Sequence, residues 1–254
     1  MTQTAIDEQR LRFDFHRDGY FKVAPLFSVD EMAGINVALD TFLRDGIKRM
    51  PPEQIYCETP DDHSTIKQLQ KLFDYDDFFH DLMFRGLPRT LAELALGEAV
   101  RPVNMQFFNK PPGIGQATPP HQDGYFFHLA PPQAVTGWLA LDPVDAENGC
   151  VHYVRDGAFR DHAPTGVLGF SQGITDFGSD ADVANTVPEP GDTGTFLLHH
   201  AKTIHWAGAN TSPTRSRRAL GFIYYGESAH EDTEAKAAYQ KALDARLKDE
   251  GKIR

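Results

Sequence analysis

At Arg101 the texture of the chain changes, and that change restricts the fold more than any other feature. Beyond it come short runs rich in β-branched and aromatic residues, each bounded by Pro, Gly, Asn or Asp. They are Val103–Phe108, Gly124–Phe127, Val135–Leu141, Cys150–Val154, Thr193–His199 and Arg218–Tyr225. Several short strands punctuated by turn residues predict a β-sandwich or barrel. Before Arg101 the pattern is helical. A helix is expected from Ile6 to Arg17, ended by Asp18-Gly19, and then a short extended segment from Tyr20 to Phe27, kept to a sheet edge by Pro25. Ser28-Val29-Asp30-Glu31 is a capping box, opening a helix with Met32, Ile35, Leu39 and Leu43 at helical spacing and ending near Asp45-Gly46. Further helix is expected over Thr65–Phe73 and over Asp77–Leu96, the latter broken at Pro88.

The expected architecture is mainly β with α, in a single domain of residues 1–254: a helical layer over 1–100, a β-barrel core over 101–226, and a polar surface helix from Glu231 to Asp249 within 227–254. A chain of 254 residues buries roughly 70–75% of its unfolded surface and needs neither disulfide nor structural metal to fold. Cys57 and Cys150 therefore read as reduced thiols of a cytoplasmic protein. The N-terminal residues carry no secretory pattern, and no apolar run is long enough to span a bilayer. A net charge of −11 argues against nucleic acid or an anionic membrane as partner. Arg155–Gly191 has little periodicity and reads either as a lid over a pocket or as a disordered excursion, the apolar Val167-Leu168-Gly169-Phe170 within it favouring a lid.

His121-Gln122-Asp123 carries the chemistry. On a strand, residues i and i+2 share a face, so His121 and Asp123 would converge while Gln122 points away. Two imidazoles and one carboxylate on one side of a metal leave the other side open, as in non-haem Fe(II) oxygenases. The third ligand must come from another strand, and His199, His200 and His205 are all candidates. A dozen residues past His205, Arg217 begins a strand whose same-face neighbours, Ala219 and Gly221, are small. An inward guanidinium with room beside it suits the far carboxylate of a keto-diacid; a surface arginine is the plainer reading of Arg217 taken alone, and the His205 segment before it favours the ligand role.

Three separated stretches, NKPPGIGQATPPHQDGYFF (109–127), GWLALDPVDAENGC (137–150) and HWAGANTSPTRSRRA (205–219), occur in an order that resembles the phytanoyl-CoA dioxygenase family of Fe(II)/2-oxoglutarate-dependent oxygenases. The resemblance implies a double-stranded β-helix, or jelly-roll barrel, with helices packed outside. It implies that His121, Asp123 and His205 bind iron and that Arg217 binds the distal carboxylate of 2-oxoglutarate. Trp138 matches a position beside the cosubstrate, Gln106 a cosubstrate-contacting position of variable type, and Lys67 a lysine reaching in from the helical layer. Trp138 reads equally as a core residue and Lys67 as a solvated one. The cofactor set implied is Fe(II), 2-oxoglutarate as cosubstrate and O2, with ascorbate as an optional reductant. The implied reaction is hydroxylation of a C–H bond with release of succinate and CO2, with no catalytic side chain beyond the metal centre.

One departure is local. Relatives follow the Asn-Gly-Cys strand with a Pro-Gly-Ser-His-like turn, whereas this chain reads Val154-Arg155-Asp156-Gly157-Ala158-Phe159. The retained Asp123 argues for oxygenation, since related halogenases carry a small residue there. The substrate is expected to be a small metabolite, the acidic chain disfavouring a bulky polyanion such as a CoA thioester. Arg155, His152, Gln172, His128 and Tyr125 are candidates to meet it, and Tyr125, Phe126 and Phe127 to exclude water. The protein would act as a monomer or homodimer. The rival readings are a cupin-like sensor that binds metal or ligand without turnover, and a metal-dependent isomerase or hydrolase on the same barrel. Neither needs Arg217 as an anchor.

Overall fold

The computed structural model describes residues 6–59, 62–155, 165–168 and 171–249. In chain order these form α1 (Glu8–Asp18), β1 (Tyr20–Val23), α2 (Val29–Thr41), β2 (Ile55–Cys57), β3 (Ile66–Leu69), α3 (Asp77–Arg85), α4 (Leu87–Leu96), β4 (Val100–Lys110), β5 (Thr118–His121), α5 (Gly124–Phe127), β6 (Leu129–Ala130), β7 (Ala134–Ala140) and β8 (Val151–Val154). There follow β9 (Thr165–Leu168), β10 (Ser171–Ile174), α6 (Asp180–Asn185), β11 (Thr186–Glu189), β12 (Phe196–His200), β13 (His205–Ala207), β14 (Arg217–Gly226), β15 (His230–Glu231) and α7 (Thr233–Asp249).

A seven-stranded antiparallel sheet in the order β1-β12-β7-β14-β4-β3-β2 faces a four-stranded one in the order β11-β8-β13-β5. This is the expected jelly-roll of two sheets, not closed into a continuous ring. Side-chain alternation gives the large sheet two different faces. On its outer face Met105, Phe107, Val135, Leu139, Phe196, Leu198, Leu220, Phe222 and Tyr224 join the buried faces of α1, α2, α3 and α4 in one apolar core. On its inner face Trp138, Ala140, Leu197 and Ala219 meet Val151 and Tyr153 of the small sheet. Covered on both sides, the central strand β7 is buried at every residue. A Cβ on its Gly137 would lie 2.6 Å from the Phe196 ring, so glycine lets that ring cross the strand.

The capping box is formed as read: Ser28 Oγ accepts from the Glu31 N–H while the Glu31 carboxylate accepts from the Ser28 N–H. α2 then winds on through a wider turn over Phe42–Gly46. The expected helix over Thr65–Phe73 is a correction. Ile66–Leu69 is strand β3 between two short 3-10 turns, paired with β2 on one side and β4 on the other. Ile66, Leu69 and Leu72 recur at near-helical spacing, but the open edge of β4 offers backbone hydrogen bonds, and tertiary pairing overrides the local pattern. Gly124–Phe127 is likewise corrected from strand to a single helical turn, α5. Its Gly124 N–H donates to the Ala201 carbonyl, which draws the chain away from β5. The break expected at Pro88 falls at Gly86, leaving Pro88 in the first turn of α4 where its missing N–H costs nothing.

Within 155–191 the described residues form secondary structure: β9 and β10 pair antiparallel, α6 is capped by Ser179, and β11 adds to β8. Gly169-Phe170 of the expected lid and Asp156–Phe159 of the departing turn lie outside the described residues. Among the described residues no helix is long and apolar enough to cross a membrane.

Leu39 on α2 is fully buried in the core shared by helices and sheet. Leu39→Ala is expected to lower stability by about 3 kcal/mol, measured by urea unfolding; a loss under about 1 kcal/mol would mean the helical layer is not packed as described.

Candidate metal centre and cosubstrate pocket

β5 ends at His121, and Asp123 follows two residues later as the N-cap position of α5, in helical rather than extended geometry. His121 and Asp123 therefore converge through a turn, not through strand alternation as expected. Gln122 does point away, donating from Nε2 to the Lys202 carbonyl at 2.8 Å. Opposite, β13 begins at His205, whose backbone is in register with His121 on one side and Tyr153 on the other. His121, Asp123 and His205 each offer a donor atom, and these lie within 4.8 Å of one another. Asp123 Oδ1 is 3.6 Å from His121 Nε2 and 3.7 Å from His205 Nε2. The three side chains are 12%, 16% and 12% exposed, shielded but not sealed.

The hydrogen bonds select the tautomers. His121 Nδ1 lies 2.8 Å from the Pro119 carbonyl and His205 Nδ1 3.1 Å from the Thr203 carbonyl. Each Nδ1–H donates to a carbonyl two residues upstream, which leaves both Nε2 lone pairs facing Asp123 Oδ1. The other carboxylate oxygen is held separately. Asp123 Oδ2 accepts from Thr136 Oγ1 at 2.6 Å and from His199 Nε2 at 3.1 Å. The Tyr153 hydroxyl donates to His199 Nδ1 at 2.9 Å, fixing that ring. Burial opposes the charge on Asp123, yet the imidazoles around it, His205 foremost and then His121 and His199, outweigh it and hold the carboxyl well below the usual range. Burial, reinforced by the neighbouring His121 and His199, keeps His205 neutral far below the usual imidazole range, the state a ligand requires.

The three candidate histidines thus separate. His205 joins the cluster, His199 orients the carboxylate from behind, and His200 turns to the outer face, where Nδ1 accepts from the Lys202 N–H and the ring meets Phe15. Sequence reasoning missed Thr136 and Tyr153. Thr136 lies directly opposite His199 in the β7–β12 ladder, a pairing invisible before the register is known.

Arg217 begins β14 on the inner face and is 5% exposed. Its guanidinium lies over the Trp138 ring at 5.5 Å from the centroid. Among the described residues no carboxylate pairs with it, and Nε is buried without an acceptor. Burial lowers its pKa to about 10. Gln106, Gly221 and Trp138 stand level across β4, β14 and β7. A Cβ at Gly221 would lie 2.5 Å from the Phe108 ring, so the small residue beside Arg217 is filled by a neighbouring aromatic. Lys67 sits 3.6 Å from Glu58 and is not a solvated lysine, its side chain being 17% exposed.

Of the residues expected near the mouth, Phe126 packs its ring 6.3 Å from that of His121, and Tyr125, Phe126 and His128 all meet Tyr239 of α7. Phe127 is buried against Tyr225. His152 is instead stacked on Trp206 at 3.8 Å. These two alternate with the inward Tyr153 and His205, so they occupy the small sheet's outer face.

The family model for phytanoyl-CoA dioxygenase (PhyH) matches residues 15–219, and the chain belongs to that family. A phytanoyl-CoA dioxygenase domain-containing protein 1 from Danio rerio is 36% identical over 125 residues, 45% of this chain and 42% of the relative, so the match spans under half of that protein. Among solved structures, the iron-bound form of EctD from S. alaskensis has a TM-score of 0.74 at 21% identity, covering 89% of this chain and 79% of that one. The epimerase SnoN, solved with Fe3+, alpha ketoglutarate and nogalamycin RO, has a TM-score of 0.72 at 22% identity, covering 88% and 85%. Both likenesses are of fold: mainly β with flanking helices.

Because Thr136 and His199 hold the carboxylate oxygen that faces away from the histidines, Thr136→Val and His199→Phe are each expected to weaken Fe(II) affinity about 10- to 100-fold while leaving all three donors in place. Anaerobic metal titration measures this; wild-type affinity in both variants would show the Asp123 rotamer is set elsewhere.

Proposed function

We propose that this chain is an Fe(II)- and 2-oxoglutarate-dependent dioxygenase that hydroxylates an unactivated C–H bond of a small-molecule metabolite, with release of succinate and CO2. The observation that supports it most is Arg217: a guanidinium buried on the inner face, with no carboxylate pairing it among the described residues. Such a group is costly unless a ligand neutralises it, and neither a non-redox sensor nor an isomerase working without 2-oxoglutarate has use for one.

The residues present fit both groups. Two imidazoles and an ionised carboxylate, their donor atoms within 4.8 Å of one another, suit ferrous iron. His121, Asp123 and His205 would hold the metal. Arg217, lying across the Trp138 face, would take the distal carboxylate of 2-oxoglutarate as a two-pronged donor. Gln106 and Trp138, level with each other on the same face, would flank the cosubstrate. When bound, iron and 2-oxoglutarate supply the oxidising chemistry, in which O2 is consumed, the keto-acid loses CO2, and the substrate carbon gains a hydroxyl.

What the chain supplies is position and dryness. Thr136 and His199 keep Asp123 aimed by one oxygen, leaving the other for the metal. The aromatic rings of Phe126 and Tyr239 close the approach beside His121 and exclude bulk water. The net charge of −11 favours a small substrate over a polyanionic thioester.

Anaerobic addition of Fe(II) and 2-oxoglutarate should give a weak visible charge-transfer band, absent in His121→Ala and Asp123→Ala; no band with the intact protein would sink this reading. Arg217→Met is expected to weaken 2-oxoglutarate binding about 10- to 100-fold with the metal retained. The substrate is to be sought in a metabolite panel scored by succinate release.

A further inference from the structure

We infer that Lys110 is a second cation of the cosubstrate pocket, acting beside Arg217 on the distal carboxylate of 2-oxoglutarate; this rests on the oxygenase reading above. Lys110 closes β4 and stands directly opposite Arg217 in the β4–β14 ladder. Directly opposed residues of an antiparallel pair project from the same face. Lys110 is 4% exposed and Arg217 5%. Two adjacent cations buried this deeply repel each other. Among the described residues neither has a carboxylate within ion-pair distance; the nearest compensation for Lys110 is the more distant charge of Glu58. A site that holds two positive groups together with no paired carboxylate among the described residues, and only the more distant charges of Glu58 and Asp142, is built for an anion from outside.

The side chain also crosses the barrel. From the large sheet its ammonium reaches the Gln116 carbonyl and, at 3.4 Å, the hydroxyl of Thr118 on β5 of the small sheet. Glycines make room for this path. A Cβ on Gly149 would meet Lys110 Cδ at 3.2 Å, and one on Gly115 would meet Lys110 Cβ at 2.6 Å.

The protonation state follows from these surroundings. Burial, with the charge of Arg217 beside it, pushes the lysine down to about 7. The charged groups facing it are Arg217 on β14, Lys67 on β3, and Glu58 just beyond β2. Above neutrality the free amine has two protons, enough for Gln116 and Thr118. A carboxylate arriving between Lys110 and Arg217 favours the ammonium, which supplies the third proton as a further hydrogen bond. Binding of 2-oxoglutarate should therefore take up a proton above the lysine's pKa and take up little below it, where the group is already charged.

The test is anaerobic calorimetric titration of the Fe(II)-loaded protein with 2-oxoglutarate, in buffers of different ionisation enthalpy, at about pH 8 and about pH 6. The wild type is expected to take up close to one proton at the higher pH and little at the lower. Lys110→Met is expected to bind about 10- to 100-fold more weakly, with no uptake. Lys110→Arg, which keeps the charge but cannot shed it, is expected to bind with no uptake and serves if the methionine variant does not fold. A lysine that only ties the 111–118 loop to the sheet would lower the melting temperature without changing the proton count. Uptake that survives either substitution, or wild-type affinity in Lys110→Met, overturns the inference while the oxygenase reading stands. A wild type that fails to bind 2-oxoglutarate overturns both.

Discussion

The two oxygens of Asp123 do different things, and the site depends on that division. One faces the Nε2 atoms of His121 and His205. The other is fastened by Thr136 and His199. Thr136 and His199 belong to the large sheet, and His121 and His205 to the small one. The carboxylate is thus one of the places where the two sheets meet through polar groups, beside the Tyr153–His199 and Lys110–Thr118 contacts. A free carboxylate would rotate and present either oxygen, and burial would favour its protonation. Held at the back by two donors, it stays charged and aimed.

The inner face of the large sheet differs in character from one end to the other. At the β12 and β7 end, Tyr153, His199 and Thr136 form a chain of donors leading to Asp123. At the β4 and β14 end, the charge is positive and without a paired carboxylate among the described residues: Arg217 over Trp138, with Lys110 opposite. A keto-diacid with a chelating end and a distal carboxylate has the matching polarity. The outer face holds helices α1 to α4 against Phe107, Leu139, Phe222 and their neighbours, which keeps the sheet from yielding when charge is placed on its other side.

Several readings from residue order survived because they concern nearest neighbours along the chain. The capping box at Ser28 and the strands at Val135 and Cys150 needed only local spacing, whereas β1, β2 and β3 of the expected helical layer join the large sheet. Readings failed where a local pattern met a distant partner. Ile66–Leu69 reads as helix until the vacant edge of β4 is known, and Gly124–Phe127 reads as strand until its first N–H finds Ala201. The convergence of His121 and Asp123 was expected for the wrong geometric reason: a turn joins them, not a pleat.

Residue order alone determined the donor types, an H-x-D with a later histidine and a later arginine, because ligand chemistry resides in side-chain identity. It determined the family for the same reason, since the three motifs stand in sequence. Residue type left His199, His200 and His205 open and the family resemblance pointed to His205; the tertiary structure supplied the reason, His205 lying beside His121 on the small sheet and His199 behind Asp123 on the large one. Only the ladder between β4 and β14 set Lys110 opposite Arg217, since the register of strands a hundred residues apart is written in neither strand by itself.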